Sequence, residues 1–336
     1  MYLLITDRCN LACKHCFVSG SHINKKASLL SYSDITSIID QLCDMNVFKL
    51  VITGGEPFLR DDILDIVHYA NTQKLNVQIN SNGSLITDKL LQEISKRKLQ
   101  ISHFTLSCEG YEELHDEVRG KGNFQKFSNS VNILKSYGFE VLINIVARSE
   151  IMKNKDRVFS LLNSMQCKRF NFAMLRPTGS AIFNREYFSY SINDTIDFFR
   201  DVKQFQKDHG LESYAEIIDS PTYYRFAGSF CNAASVSLAI TPAGCVTPCP
   251  YLDELCGMLD IDLDNVYDKP LAEIWKKSKS FSYMREFSNS CQSCMFASSC
   301  GQQCPVESYV RGDIKGRGLY CLFDDHTTLL KDKFLT

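Results

Sequence analysis

Cys9, Cys13 and Cys16 stand at C-x3-C-x2-C spacing near the start of a 336-residue chain. Thiolates in short runs serve as ligands of zinc and of iron–sulfur clusters alike. A four-iron cluster is normally closed by four thiolates, so three leave one iron open. An open iron can bind a small molecule and pass an electron into it, whereas a closed cluster only stores or relays electrons. The triad alone leaves zinc and iron level, and the surrounding residues must separate them.

A second array lies far downstream: Cys231, Cys249 (five residues after Gly244), Cys291-x2-Cys294-x5-Cys300-x3-Cys304, and Cys321. Ten of the fifteen cysteines fall in these two arrays; Cys43, Cys108, Cys167, Cys245 and Cys256 lie outside them. Met1–Ile5 is apolar, but Asp7 and Arg8 follow, so it does not read as a signal peptide, and metal binding explains the cysteines better than disulfides do. Cys43 follows Ile35, Ile38, Ile39 and Leu42 at helical spacing and reads as core packing.

Three polar loops could hold a ligand. Gly54-Gly55-Glu56-Pro57 combines glycines, which let backbone approach closely, with a carboxylate that accepts from an ammonium. Taken alone, it reads as a strand-to-helix turn; with the triad upstream it reads as a ligand loop. Asn80-Ser81-Asn82-Gly83 and Ser107-Cys108-Glu109-Gly110 carry further polar side chains.

The elements that must position these residues alternate. Strands are expected at Tyr2–Ile5, Phe48–Thr53, Asn76–Asn80, His103–Ser107, Val141–Val146 and Arg169–Leu175. Helices are expected from an N-cap at Ser33 through Leu42, then at Asp62–Asn71, Asp88–Lys96, Phe124–Tyr137 and Arg157–Met165. Six strands with intervening helices argue for a parallel α/β sheet with right-handed crossovers, either doubly wound or an open barrel. Either way the polar loops share the face at the strands' C-terminal ends, where such folds bind ligands. Beyond Pro177 the pattern changes. Asp194–Lys207 reads as a helix with Ile196, Phe199, Val202 and Phe205 inward. From Cys231 onward Cys, Gly and Pro become dense, as in a module organised by metal.

Composition sets the bounds. The chain is 44% hydrophobic with net charge −2 and mean hydropathy −0.16. No apolar run reaches the ~18 residues of a membrane helix, and no basic stripe suggests nucleic acid. The expectation is a cytoplasmic enzyme with neither membrane nor nucleic-acid partner.

Triad, Gly-Gly-Glu-Pro loop and strand–helix alternation together resemble the radical SAM superfamily, and the seven distal cysteines resemble its SPASM domains. The resemblance covers nearly the whole chain, including Leu271-x2-Ile274-Trp275 between the halves. It implies a partial (βα)6 TIM-like barrel over residues 1–185, a bridging helical region over 186–230 and a SPASM domain over 231–336. Cys9, Cys13 and Cys16 would ligate a [4Fe–4S] cluster whose open iron binds S-adenosylmethionine (SAM). Its reductive cleavage yields methionine and a 5′-deoxyadenosyl radical that abstracts a hydrogen atom. His15, where the family more often has Tyr or Phe, would lie beside the adenine. Gly54, Gly55 and Glu56 would meet the methionine amino group, and Asn82, Ser107 and Asn144 would make further SAM contacts. Glu109, where Asp is commoner, would lie near the ribose. His115-Asp116 with Arg119-Gly120 resembles a segment of peptide-modifying members, and is equally an exposed charged turn. Leu175-Arg176-Pro177 with Gly179 matches the end of the sixth strand.

The SPASM resemblance implies two auxiliary iron–sulfur clusters. Cys291, Cys294, Cys300 and Cys321 would close the distal one, and Cys231, Cys249 and Cys304 would hold the proximal one. No cysteine lies near Tyr223-Tyr224-Arg225, where a fourth proximal ligand often falls. The proximal cluster is then either open to substrate or closed by Cys245 or Cys256. Between Cys300 and Cys304 the sequence is Gly-Gln-Gln where the family has a glycine-rich run. The auxiliary clusters would accept an electron or bind substrate, and Asp219, Asp253 and Glu254 are candidate bases.

The activity implied is side-chain oxidation, crosslinking or epimerisation of a peptide or protein, as in maturation of ribosomally made peptides. The alternative is oxidation or rearrangement of a small metabolite. Expected partners are an electron donor such as flavodoxin or ferredoxin; because the barrel starts at residue 2 without a leader-binding extension, the expectation is either a separate leader-recognition protein or a reaction that needs no leader, as in sulfatase maturases. A plain iron–sulfur electron carrier or a zinc-based interaction module would show the cysteines without SAM cleavage.

Overall fold

In the computed structural model the described residues are 1–18, 29–176, 178–188, 192–213, 233–252, 261–286, 304–310, 313, 315 and 316. Six strands, β1 (Tyr2–Leu4), β2 (Lys49–Thr53), β3 (Asn76–Ser81), β4 (His103–Cys108), β5 (Val141–Ala147) and β6 (Arg169–Met174), lie side by side in chain order. All pair in parallel. This is the α/β arrangement of a partial (βα)6 barrel, with its strand edges extended on both sides. Beyond β6, β7 (Glu212–Ser213) adds in parallel. Beyond β1, β8 (Ala239–Ile240) adds in parallel and β9 (Val246–Thr247) closes the edge antiparallel. Tyr2 pairs with Ala239, so the C-terminal part is stitched to the barrel by main-chain hydrogen bonds.

Strand alternation divides the sheet chemically. Val77, Ile79, Phe104, Leu106, Ile143, Ile145, Phe170 and Phe172 face one side and are buried with the helices in the main core. The opposite parity holds Gln78, Asn80, Thr105, Ser107, Asn144 and Asn171, all half-buried. Period-two alternation fixes this, and it leaves a polar inner face on which a ligand can lie.

The crossovers are α1 (Tyr32–Asp44), α2 (Ile63–Thr72), α3 (Asp88–Lys96), α4 (Glu112–Arg119), α5 (Asn123–Ser136), α6 (Ser149–Lys153) and α7 (Lys155–Ser164). α8 (Ile192–His209), α9 (Leu271–Lys277), α10 (Lys279–Glu286) and α11 (Pro305–Val310) follow. α1 buries Ile35, Ile38, Ile39 and Leu42, at most 1% exposed, each worth at most about 1.5–3 kcal/mol. Phe199, Val202 and Phe205 of α8 face inward as expected; the side chain of Ile196 lies outside the description.

Three expectations change. Helix α1 is capped by Ser31, not Ser33: the Ser31 hydroxyl accepts from Asp34 N at 3.2 Å and Asp34 accepts from Ser31 N at 2.8 Å. That reciprocal capping box satisfies two donors at once, which outweighs the lone serine nearer the apolar run. Phe48 stands outside β2 and is 78% exposed. The 112–119 segment is a helix, not an exposed turn. Its charged residues hid the spacing by which Leu114, His115 and Val118 are buried.

Candidate functional site

The cysteine loop leaves β1 and is gripped from three sides. Gly55 N donates to Thr6 O at 2.7 Å and Glu56 N to Arg8 O at 2.8 Å. A Cβ at Gly54 (φ +138°) would overlap the Thr6 carbonyl, and one at Gly55 the Arg8 carbonyl. The glycines therefore let the loop after β2 lie directly on the root of the cysteine loop. On a second side Ser180 N donates to Cys16 O at 2.9 Å and the Asn184 amide to Lys14 O at 2.7 Å. Gly179 there has φ +57°, and a Cβ would overlap Cys16 O. On the third side Lys14 N reaches Val118 O of α4 at 3.4 Å.

Cys9 is exposed; Cys13 and Cys16 are half-buried. Burial pushes the Cys13 thiol up to about 11, and the charges of Glu109, Cys16 and Cys9 add to it against Arg119. Cys9 is raised mainly by burial too. The positive charge of a metal centre makes a coordinating thiol ionise, which offsets the burial that raises Cys9 and Cys13. Among the described residues no three Cys, His, Asp or Glu side chains converge on a single ion-sized point. The donor set itself, three cysteines on one loop that neighbouring loops hold by backbone hydrogen bonds, is of the kind that ligates an iron–sulfur cluster. The Asn82 amide lies 3.9 Å from Cys9 Sγ and 3.0 Å from Asn10 Oδ1.

Glu56 is fully buried. Its carboxylate accepts from Ser81 Oγ at 2.8 Å, Asn82 N at 2.9 Å and Phe58 N at 3.3 Å. Burial raises its pKa against those hydrogen bonds. Its carboxylate thus ties the loop after β2 to the loop after β3 rather than standing open.

Glu109 is also wholly buried. Its Oε1 receives Arg119 Nη2 at 2.7 Å and Nε at 3.0 Å. Its Oε2 lies 2.9 Å from His15 Nε2, a close contact off hydrogen-bond alignment. Burial alone would raise this carboxyl, but the charges of His15 and Arg119 outweigh it and hold the pKa well below the usual range. Glu109 N points to His115 Nδ1 at 3.4 Å, and burial with the Arg119 charge lowers His115 to about 4. Arg119 thus acts electrostatically on Cys9, Cys13, Glu56, Glu109 and His115 at once. Sequence reading placed Arg119 in a motif but gave it no role. The available signal was a cation four residues after a histidine and ten after Glu109, which an α4 helix brings back to the strand end.

Buried polar atoms without partners among the described residues gather here: His115 Nε2, Thr178 Oγ1, Tyr187 OH and, on the polar face, Asn171 Oδ1. Tyr187 is 1% exposed, its ring 6.4 Å from that of His15, and burial pushes its hydroxyl up to about 12. Orphaned buried polar atoms next to the cysteine loop fit a polar ligand at this place.

Ser107 and Asn144 are register partners, and Asn144 pairs in turn with Asn171, whose amide donates to Asn144 Oδ1 at 2.6 Å. Gln78 Nε2 bridges Asn80 Oδ1 at 2.8 Å and Thr105 Oγ1 at 2.9 Å. The structure therefore gathers His15, Glu56, Asn82 and Glu109 around the cysteine loop, with Ser107 and Asn144 on the adjoining polar face.

In the C-terminal part Cys249 and Cys304 both border a small apolar cluster of Ala233, Leu252 and Val306. Cys245 lies in a separate turn: its N–H donates to Thr241 Oγ1 at 3.1 Å and its Sγ meets the Asn265 amide at 3.7 Å. Cys231, Cys256, Cys291, Cys294, Cys300 and Cys321 lie outside the described residues, as do Pro177, Tyr223-Tyr224-Arg225 and the candidate bases Asp219, Asp253 and Glu254. Leu271 and Ile274 are buried on α9, and Trp275 packs beside them.

Among the described residues no helix is long and apolar enough to cross a membrane. Residues 3–151 match the family model of the radical SAM superfamily, and residues 231–295 match that of the SPASM iron–sulfur cluster-binding domain. The chain is 29% identical over 326 residues to an AdoMet-dependent heme synthase of Oleidesulfovibrio alaskensis, covering 88% of this chain and 80% of that protein. It is 26% identical over 331 residues to the mycofactocin maturase MftC of Mycolicibacterium smegmatis, covering 92% and 78%. Its fold matches Streptococcus suis SuiB bound to precursor peptide SuiA, with TM-score 0.74, 18% identity, and coverage of 96% of this chain and 75% of that one.

Proposed function

From a chain that is a radical SAM superfamily enzyme with a SPASM domain, we propose reductive cleavage of SAM followed by hydrogen-atom abstraction from a peptide or protein side chain. The observation that carries the first half is the three-sided grip on Cys9, Cys13 and Cys16 beside the buried Glu109–Arg119 pair. When bound, a [4Fe–4S] cluster held by these three thiolates supplies one electron to SAM, giving methionine and the 5′-deoxyadenosyl radical.

The chain's own residues orient and shield. Glu109 fixes Arg119 and His15, so that loop and α4 keep one geometry. Arg119 spends two of its five donors on Glu109, and the rest are offered to an anionic group of the cosubstrate. Backbone carbonyls of Gly54 and Gly55, with Asn82, are the acceptors for the methionine ammonium. Ser107 and Asn144 address the nucleoside from the polar face, and His15 lies beside the adenine. Cys249 and Cys304, with Cys231, are assigned to a proximal auxiliary cluster, open or closed by Cys245 or Cys256. Cys291, Cys294, Cys300 and Cys321 are assigned to a distal one. Asp219, Asp253 or Glu254 would remove the proton when substrate oxidation releases one. We divide the chain at 1–185, 186–230 and 231–336, with a flavodoxin or ferredoxin as electron donor, a separate leader-recognition protein, and a cytoplasmic setting.

Support for the peptide half is the similarity to the mycofactocin maturase over 92% of this chain. A second reading, a ring-shaped or other small metabolite, is favoured by the similarity to the heme synthase over 88%. Reconstituted enzyme is incubated with deuterated peptides encoded beside the gene and, separately, with deuterated metabolite extract. Deuterium in 5′-deoxyadenosine from a peptide supports the first reading; deuterium only from the extract overturns it. A reduced, cluster-loaded protein that forms no 5′-deoxyadenosine would refute both.

A further inference from the structure

At the N-terminal ends of the strands, opposite the cysteine loop, α1, β2 and α9 enclose a groove of about 680 Å³. It continues past Trp275 and Lys276 into a hollow of about 430 Å³ that reaches Arg285. Phe48 and Val236 stand on its walls 78% and 58% exposed. Large apolar side chains bared together mark surfaces that meet something. The Trp275 indole forms the wall between the hollows, with the Arg285 guanidinium 5.0 Å from its ring centre. Lys49 and Lys276 line the larger hollow, and among the described residues Asp44 is the only acid lining either. Three cations against one carboxylate, set among apolar walls, complement an acidic and partly apolar chain.

We propose that this groove docks an acidic segment of the peptide substrate, carrying an aromatic or branched apolar side chain, away from the reacting residue. The proposal rests on the peptide reading. The strands separate the two ends by roughly 16–20 Å at ~3.3 Å per residue, so at least about six extended residues must link a docked segment to the cysteine-loop end. Binding energy gained remotely can be used to position the reacting residue. Phe48 and Val236 supply contact that survives salt, and the cations supply attraction that salt screens.

The test uses the reconstituted holoenzyme and a displayed library of random 12-residue peptides, selected anaerobically. Peptides rich in Asp and Glu with at least one aromatic or branched residue are expected. Their binding should fall at least tenfold for K49E/K276E and for F48S, and weaken as salt rises. Selection on K49E/K276E should enrich basic peptides instead. Iron content and substrate-free SAM cleavage should be unchanged in these variants, which separates loss of docking from misfolding. A pool without acidic bias, or binding indifferent to both variants, overturns the proposal. Failure of the peptide reading is seen separately: docking would persist while no neighbouring peptide gives deuterium to 5′-deoxyadenosine.

Discussion

Glu109→Gln removes one charge from a pair that water cannot reach. Glu109 is 0% and the Arg119 side chain 8% exposed, joined at 2.7 and 3.0 Å. Stripping one partner from such a pair leaves an uncompensated buried charge, with an effect of about 3–5 kcal/mol. Glutamine keeps one acceptor for the guanidinium, which places E109Q near the lower end. At about 2.1 cal/mol/K of unfolding entropy per residue, that is a fall in Tm of about 4 °C for a chain of this size. Metal-free protein at pH 7, followed by circular dichroism, reads this without the cluster. Iron bound per chain after reconstitution should fall as well, because His15 loses its contact to the clamp. E109Q/R119M removes both charges and should recover at least half of the loss. The sign with pH is fixed: Glu109 is held below its ordinary 4.5, so its contribution is present above that pH and is lost as pH falls. The gap between parent and E109Q should therefore narrow below about pH 4.5. An E109Q protein that melts within about 1 °C of the parent would refute the reasoning, as would a double variant no more stable than the sum of the singles.

Two further outcomes follow from the packing. Gly179→Ala places a methyl on the Cys16 carbonyl at a left-handed backbone position. It should weaken iron retention under a chelator several-fold while secondary structure persists, and retention equal to the parent would deny the grip on that side. His115 is kept neutral, with its pKa lowered to about 4 from an ordinary 6.5. The unfolded chain takes up the proton first, so stability falls as pH drops from about 6.5 toward 4, by about 2 kcal/mol at pH 5. Urea melts at pH 7 and pH 5 should show that slope reduced, though not abolished, in His115→Gln, because His103 is depressed to about 4 as well.

The order of elements was legible because the barrel strands are short segments, apolar or alternating apolar with polar, and most crossover helices have an apolar stripe. The loops were legible because thiols, glycines and amides are rare enough to stand out between such runs. Ser31 was passed over because a capping box needs the geometry of both partners, and Ser33 offered the same atom nearer the apolar run. Helix α4 was passed over because five of its eight residues are charged and its buried face is short.

The sequence by itself determined the chemistry available: three thiols at fixed spacing, a second cysteine array, and polar loops at one end of six strands. Residue type and local periodicity are short-range properties, and the chain carries them wherever it folds. Only the tertiary structure decided what those groups face. It turned Glu56 inward to Ser81 and Asn82, used Gly54, Gly55 and Gly179 to press neighbouring loops onto the cysteine loop, and joined His15, Glu109 and Arg119 across three elements. Burial and charge pairing depend on the approach of segments far apart in the chain, such as Lys14 and Asn184, 170 residues apart, or Tyr2 and Ala239, and no local pattern encodes that approach.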